Sequence, residues 1–114
     1  MPRKHLIKKK KDFDLVLKNG IKIAGRFFTL LFKANSPESS NCSFGFIVKK
    51  SIAKKAVTRN KIKRRLKEIF KSLIPHLKNG NYIIIPNQEA VNTTFQQLKS
   101  DILNTLKKEK IINL

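Results

Sequence analysis

The spacing of apolar residues in the stretch "AVTRNKIKRRLKEIF", residues 56–70, limits the possible folds more than any other feature of the sequence. At about 100° per residue, the apolar side chains of this stretch and its continuation fall on one face of a helix. They are Ile62, Leu66, Ile69, Phe70 and Leu73. A helix with one apolar face is stable in water only when that face is packed, so we expect it to pack within a single domain spanning residues 1–114.

The other side of the same helix is basic. From Lys49 to Lys71 the chain carries eleven Lys or Arg and a single acid, Glu68. Solvated helices usually mix charges of both signs to gain ion pairs one turn apart, whereas here like charges recur at that spacing. This pattern favours a polyanionic partner. We place Asn60, Lys61, Arg64, Lys67 and Lys71 on the face opposite the apolar one, and Arg59, Lys63 and Arg65 on its flanks.

The composition of the whole chain supports the same interpretation. Its 114 residues hold 26 Lys or Arg and 7 Asp or Glu, a formal net charge of +19. Self-repulsion at this level opposes compaction, and a nucleic acid is the partner that best explains it, with an anionic membrane second. The sequence lacks the motifs of the common DNA-binding folds. Aromatic strands beside basic residues suit single strands, so we predict RNA binding.

Periodicity along the chain predicts an α+β fold with the order α-β-β-β-α-β-α, three helices on a mixed sheet of about four strands. The runs on either side of the loop 35–41 are expected to pair as an antiparallel hairpin. The run "NYIIIP" is apolar on both faces, as in a buried central strand. Thr93 and Gln96 predict a capping box before the last helix. Residues 1–9 are expected to form a loose basic arm.

The strand "RFFTLLFK" divides its side chains between two faces. Phe28, Leu30 and Phe32 alternate on the face that we expect to be core. The mixed face is the better candidate for contact with RNA, and it holds Phe27, Thr29, Leu31 and Lys33.

No catalytic constellation is visible in the sequence. The seven acids are scattered, and we find no metal-ligand spacing, no glycine-rich phosphate loop and no nucleophile motif. The single Cys42 allows no intrachain disulfide and fits a reducing compartment. No apolar run approaches the roughly 18 residues of a membrane span. We therefore expect a cytoplasmic binding protein without catalytic or metal-ligating residues.

The segment "KKSIAKKAVTRNKIKRRLKEIF" closely resembles the signature helix of the bacterial ribonuclease P protein subunit, and the other elements agree in order over nearly the whole chain. The resemblance implies a left-handed β-α-β crossover. It also implies a monomeric subunit of a ribonucleoprotein endonuclease, partnered by a catalytic RNA that removes the 5′ leader from precursor tRNA. In that family the RNA holds the catalytic Mg²⁺.

The resemblance also implies two sets of site residues. Those of the RNA-binding signature helix are Arg59, Asn60, Lys61, Lys63, Arg64, Arg65 and Lys67. Those of a leader-binding cleft are Phe13, Leu17, Arg26, Lys50 and, from the mixed strand face, Phe27 and Leu31. Three positions depart from the family pattern, among them Lys49, which stands where a small residue is common. Lys61 stands where Arg is usual and loses the bidentate fork, and Leu17 stands where a second aromatic is common.

Two other classes stay open on sequence grounds. A ribosomal protein would also be small, basic and α+β, but would more often carry a long basic tail. A DNA-binding regulator would need a dimer interface and a helix free to enter the major groove.

Overall fold

Seven regular elements follow the predicted order in the computed structural model, which describes residues 3–34 and 41–113. Most of the predicted loop 35–41 therefore lies outside the described residues. The elements confirm the α+β class and the order α-β-β-β-α-β-α. They are α1 (Lys10–Asn19), β1 (Ile21–Ala24), β2 (Phe28–Ala34), β3 (Cys42–Phe46), α2 (Ala56–Leu73), β4 (Gly80–Pro86) and α3 (Phe95–Lys108).

The four strands form one mixed sheet in the order β1-β2-β4-β3. The predicted hairpin between β2 and β3 is wrong, because β4 lies between them. It pairs antiparallel with β2, from Phe28↔Pro86 to Ala34↔Gly80, and parallel with β3. A strand that is apolar on both faces gains most from an interior position, which explains this order. The antiparallel hairpin is instead β1–β2.

The helix α2 connects the two parallel strands β3 and β4, which makes the β-α-β crossover that the resemblance implied. Its buried side chains are the five predicted from periodicity, Ile62, Leu66, Ile69, Phe70 and Leu73. They pack with Phe28, Leu30 and Phe32 of β2 in the main core. The predicted core face of that strand is thus confirmed.

The helix α3 adds Leu98, Ile102 and Leu106 to the same core. Its capping box lies one residue later than predicted: Thr94 caps the helix, and the Thr94 hydroxyl accepts from the Gln97 backbone N–H at 3.1 Å. A one-residue error leaves the apolar stripe unchanged. We call the short 3₁₀ segment Gln88–Val91 that precedes α3 the 88–91 turn.

The helix α1 packs on the opposite face of the sheet. Val16 and Ile83 are both fully buried there, and Ile83 alternates with Tyr82 and Ile84, which belong to the main core. The sheet is therefore covered by α2 and α3 on one face and by α1 on the other.

The N-terminal segment differs from the loose arm that we expected. The Ile7 N–H donates to the Phe44 carbonyl at 2.9 Å, and His5 Nδ1 donates to the Cys42 carbonyl at 2.9 Å. The strand β3 lies at the edge of the sheet, and its unpaired backbone groups give the segment a partner that sequence periodicity does not reveal.

Within the described residues, none of the helices combines the length and the apolar character needed to cross a membrane.

Candidate nucleic-acid interface

The outer face of α2 presents charged and polar side chains to solvent. Asn60, Lys61, Arg64 and Lys71 are exposed along it, together with Glu68. Among residues 3–34 and 41–113 no ion pair involves a basic residue of α2. The opposite face of α2 packs in the core, which fixes the helix in place. The exposed cations are therefore held at helical spacing and remain available to an external anion.

Arg59 is not part of that open face. Its Nη1 donates to the carbonyl oxygens of Ala53 at 2.9 Å and of Lys54 at 2.7 Å. These residues belong to the connection that enters α2, and Arg59 is half-buried against it. Arg59 therefore braces the start of the helix. This role was not predicted, because i,i+6 contacts outside a helix leave no periodic signal.

The two flanks of α2 differ from each other. Lys63 and Lys67 are half-buried and lie one turn apart on one flank, so placing Lys67 on the fully exposed face was wrong. Residues four apart in a helix are rotated by about 400°, so the side chains of Lys63 and Lys67 differ by only about 40° around the helix axis. On the other flank, Arg65 Nη1 donates to the Thr93 carbonyl at 3.2 Å and so reaches the start of α3.

Residues of the expected leader-binding cleft lie where α1 packs on the sheet. Phe13 is half-buried, and its ring lies directly against Gly45 of β3, close to Ile83 of β4. A Cβ on Gly45 would lie only 2.7 Å from Phe13 Cε2, so glycine is what permits this approach. Leu31 pairs with Ile83 on the same sheet face and is half-buried.

Leu17 follows Phe13 by one turn of α1 and is 43% exposed. The structure thus brings together Phe13, Leu17 and Leu31 on the α1 side of the sheet, as expected for one apolar surface. Gly45 was missed as a contributor. The signal that could have identified Gly45 is a glycine within a strand of alternating side chains, facing a helix that carries an aromatic residue.

Arg26 and Phe27 lie beside α3 instead. Their backbone N–H groups donate to the Asp101 carboxylate at 3.1 Å and 2.9 Å, and Phe27 belongs to the main core at 7% exposure. The expected mixed-face position of Phe27 is wrong, because Phe27 lies in the bend before β2 and does not follow the strand alternation. Asp101 anchors this bend and was not predicted, since 74 residues separate it from Phe27.

Lys50 is exposed in the connection between β3 and α2. The carbonyl of its neighbour Lys49 accepts from the Ile52 and Ala53 N–H groups at 3.2 Å and 3.3 Å, which shapes a tight turn there. The turn directs the chain from the sheet into α2. Lys50 thus lies on the segment that joins β3 to the basic helix.

No group of three or more His, Cys, Asp or Glu side chains in 3–34 and 41–113 could hold a metal ion. Burial raises the pKa of the Cys42 thiol and of the Tyr82 phenol, which keeps both neutral at physiological pH. Both lie in the core and not on the basic face.

These features define a class, a small basic α+β protein with a basic helix on one face of the sheet and an apolar surface beside α1 on the other. Residues 1–110 match the sequence model of the family described as Ribonuclease P. The chain therefore belongs to the ribonuclease P protein family.

Individual members of this family are similar to the chain over nearly its whole length. The chain is 32% identical over 116 residues to the ribonuclease P protein component of Pseudanabaena sp., covering 99% of this chain and 97% of that one. It is 34% identical over 113 residues to the component from Staphylococcus aureus, covering 99% and 96%.

Solved structures match as well. The Staphylococcus aureus RNase P protein superposes with a TM-score of 0.84 at 34% identity, covering 96% of this chain and 98% of that one. The Thermotoga maritima RNase P protein gives 0.78 at 28% identity, covering 90% and 96%. These matches favour this family over the ribosomal and DNA-binding classes.

Proposed function

We propose that this chain is the protein component of a ribonuclease P, an RNA-based endoribonuclease that removes the 5′ leader from precursor tRNA. The protein binds the catalytic RNA through the outer face of α2. The observation that carries this assignment is the row formed by Lys61, Arg64 and Lys71, which have no ion-pair or hydrogen-bond partner among residues 3–34 and 41–113 and are held on a helix whose other face is core.

The RNA-binding residues act in two ways. Lys61, Arg64 and the Lys63–Lys67 flank supply charge to phosphates, and Asn60 adds an exposed amide that can hydrogen-bond a base or ribose. Arg59 and Arg65 hold the helix in place through backbone carbonyls, with their remaining N–H groups available to RNA.

The 5′ leader is the partner that fits the α1 cleft. A single strand can lay bases against the exposed edge of Phe13 and the apolar surface of Leu17 and Leu31. Lys50 supplies charge beside the cleft. Arg26 and Phe27, in contrast, face α3, so we assign them to a separate surface.

The catalytic Mg²⁺ ions belong to the RNA in this proposal. The described residues of the protein offer no cluster of ligands for a metal, so no residue of this chain is assigned to one. What the protein contributes is charge: between two polyanions, a +19 chain lowers repulsion and holds the leader. It acts as a monomer in a cytoplasmic ribonucleoprotein.

The test is equilibrium binding of precursor and mature tRNA to a bacterial ribonuclease P RNA, with and without the protein. The protein should tighten binding of the precursor far more than that of the mature tRNA, and shortening the leader should remove the difference. Equal effects on both tRNAs would exclude leader binding. A protein that does not bind the ribonuclease P RNA at all would exclude the whole proposal.

A further inference from the structure

A polar cavity of about 400 Å³ lies between the β1–β2 connection, the 88–91 turn and the first turn of α3. Pockets for small ligands span roughly 300–1,000 Å³, so the cavity has room for one nucleotide. It adjoins α3, which packs on the sheet face opposite α1, and is thus separate from the cleft proposed for the leader. Its polar and charged lining side chains are Arg26, Gln88, Glu89, Asn92, Thr93 and Gln97.

Three side-chain amides face this cavity with unused hydrogen-bonding groups. The Gln97 carbonyl oxygen accepts from the Thr93 hydroxyl at 3.0 Å and the Thr94 N–H at 3.4 Å, so its NH₂ group is directed away from the cap. Gln88 and Asn92 have no side-chain partner among residues 3–34 and 41–113. Together these amides offer donors and acceptors of the kind that pair with the edge of a base.

A cation stands at the mouth of the cavity. The Arg26 guanidinium lies 5.0 Å from the centre of the Phe27 ring, and its Nε is 3.8 Å from Glu89 Oε2. The Asp101 carboxylate and the Asn87 amide hold the Arg26 backbone at 3.1 Å and 2.8 Å. The side chain is 73% exposed, which leaves guanidinium N–H groups for a phosphate.

The cavity is connected to the basic helix. Thr93 lines the cavity, and its carbonyl accepts from Arg65 of α2. Arg65, on the flank of α2, is therefore in direct contact with a residue of the cavity lining.

We propose that this cavity binds one unpaired nucleotide of the RNA that lies on α2, with the amides of Gln88, Asn92 and Gln97 at its base and Arg26 at its phosphate. The inference rests on the proposed function, because it assigns a second contact to the same RNA. It also gives Arg26 a role other than leader binding.

Gln97→Glu provides the sharpest test. A glutamate at this position still accepts from the Thr94 N–H, so the capping box is kept, whereas the NH₂ donor is replaced by a charged acceptor. The matched control Asn19→Asp places the same charge at the exposed end of α1, on the opposite face of the sheet from the cavity. Affinity for a bacterial ribonuclease P RNA would be measured for both variants and the unchanged protein.

The proposal predicts that Gln97→Glu weakens binding about tenfold and Asn19→Asp by no more than about twofold. In addition, Arg26→Gln should lower the slope of log affinity against log salt by about one. Equal losses in the two acidic variants, or an unchanged slope for Arg26→Gln, would overturn the nucleotide site and leave the proposed function standing. Failure of the unchanged protein to bind the RNA would overturn both.

Discussion

Arg59 Nη1 donates to the Ala53 carbonyl at 2.9 Å, so one cation of the basic helix is committed to the protein itself. Arg64, five residues later, is exposed and has no ion-pair or hydrogen-bond partner within residues 3–34 and 41–113. Two arginines of one motif therefore have different physical roles. Paired substitutions can separate these roles.

Arg59→Ala should lower the free energy of unfolding by roughly 1–2 kcal/mol, because two carbonyls before α2 lose a charged donor. RNA affinity should fall with it, since the entry to the helix loosens. Urea denaturation followed by circular dichroism measures the first effect. A variant as stable as the unchanged protein would show that the two hydrogen bonds contribute nothing to folding.

Arg64→Ala should leave the midpoint of unfolding unchanged and weaken RNA binding, with the salt slope reduced by about one. The physical reason is the loss of one phosphate contact and its released counterions. Affinity for ribonuclease P RNA measured across a salt series gives the slope. A slope equal to that of the unchanged protein would mean that Arg64 contacts no phosphate.

Phe13→Ala should reduce the affinity of the ribonucleoprotein for precursor tRNA by about tenfold, since stacking of one base on an aromatic ring contributes about 1–3 kcal/mol. Leu15→Ala is the matched control, because Leu15 is exposed at 37% on the other flank of α1. Precursor binding would be measured with both variants. A large drop in the melting temperature for Phe13→Ala, with no selective loss of precursor binding, would point to core packing alone.

Tyr82 should make the free energy of unfolding depend on pH in the alkaline range. Burial, and secondarily the charge of Cys42, raises the pKa of its phenol above the ordinary value, and the hydroxyl donates to the Lys78 carbonyl. The unfolded phenol ionises near pH 10 and the folded one does not, so stability is fully present below pH 10 and falls above it. For this single group, the free energy of unfolding falls with a slope that approaches about 1.4 kcal/mol per pH unit.

Tyr82→Phe removes this pH dependence and should reduce the loss of unfolding free energy between pH 10 and 11 by about 1 kcal/mol, because the unfolded phenol is only half ionised at pH 10. Denaturant unfolding at several pH values compares the two proteins, and the ionisation of lysines affects both equally. Identical pH profiles would show that the phenol is not held neutral by the fold.

The sequence was most informative where periodicity and burial coincide. The five apolar residues of α2, the core face of β2 and the position of β4 as a central strand were all predictable, because a helix or strand with one or two apolar faces must cover them. The same spacing placed Lys61 and Arg64 on the open face.

The failures share a different physical origin, namely contacts between distant parts of the chain. Strand periodicity does not say which strand is inserted between which, so the β2–β3 hairpin was wrong. Phe27 was misplaced because Asp101, far along the sequence, holds its backbone in a bend. The docking of the N-terminal segment on β3 likewise depends on an exposed strand edge that exists only in the assembled sheet.

As a ribonuclease P protein component, this chain should assist an RNA catalyst. The most direct test is single-turnover cleavage of precursor tRNA by a bacterial ribonuclease P RNA at low Mg²⁺, with the protein, without it, and with the protein alone. We expect faster leader removal with both components and no cleavage by the protein alone. An unchanged rate with correctly folded RNAs, or cleavage by repurified protein alone, would show that the protein does not act as an assistant to the RNA.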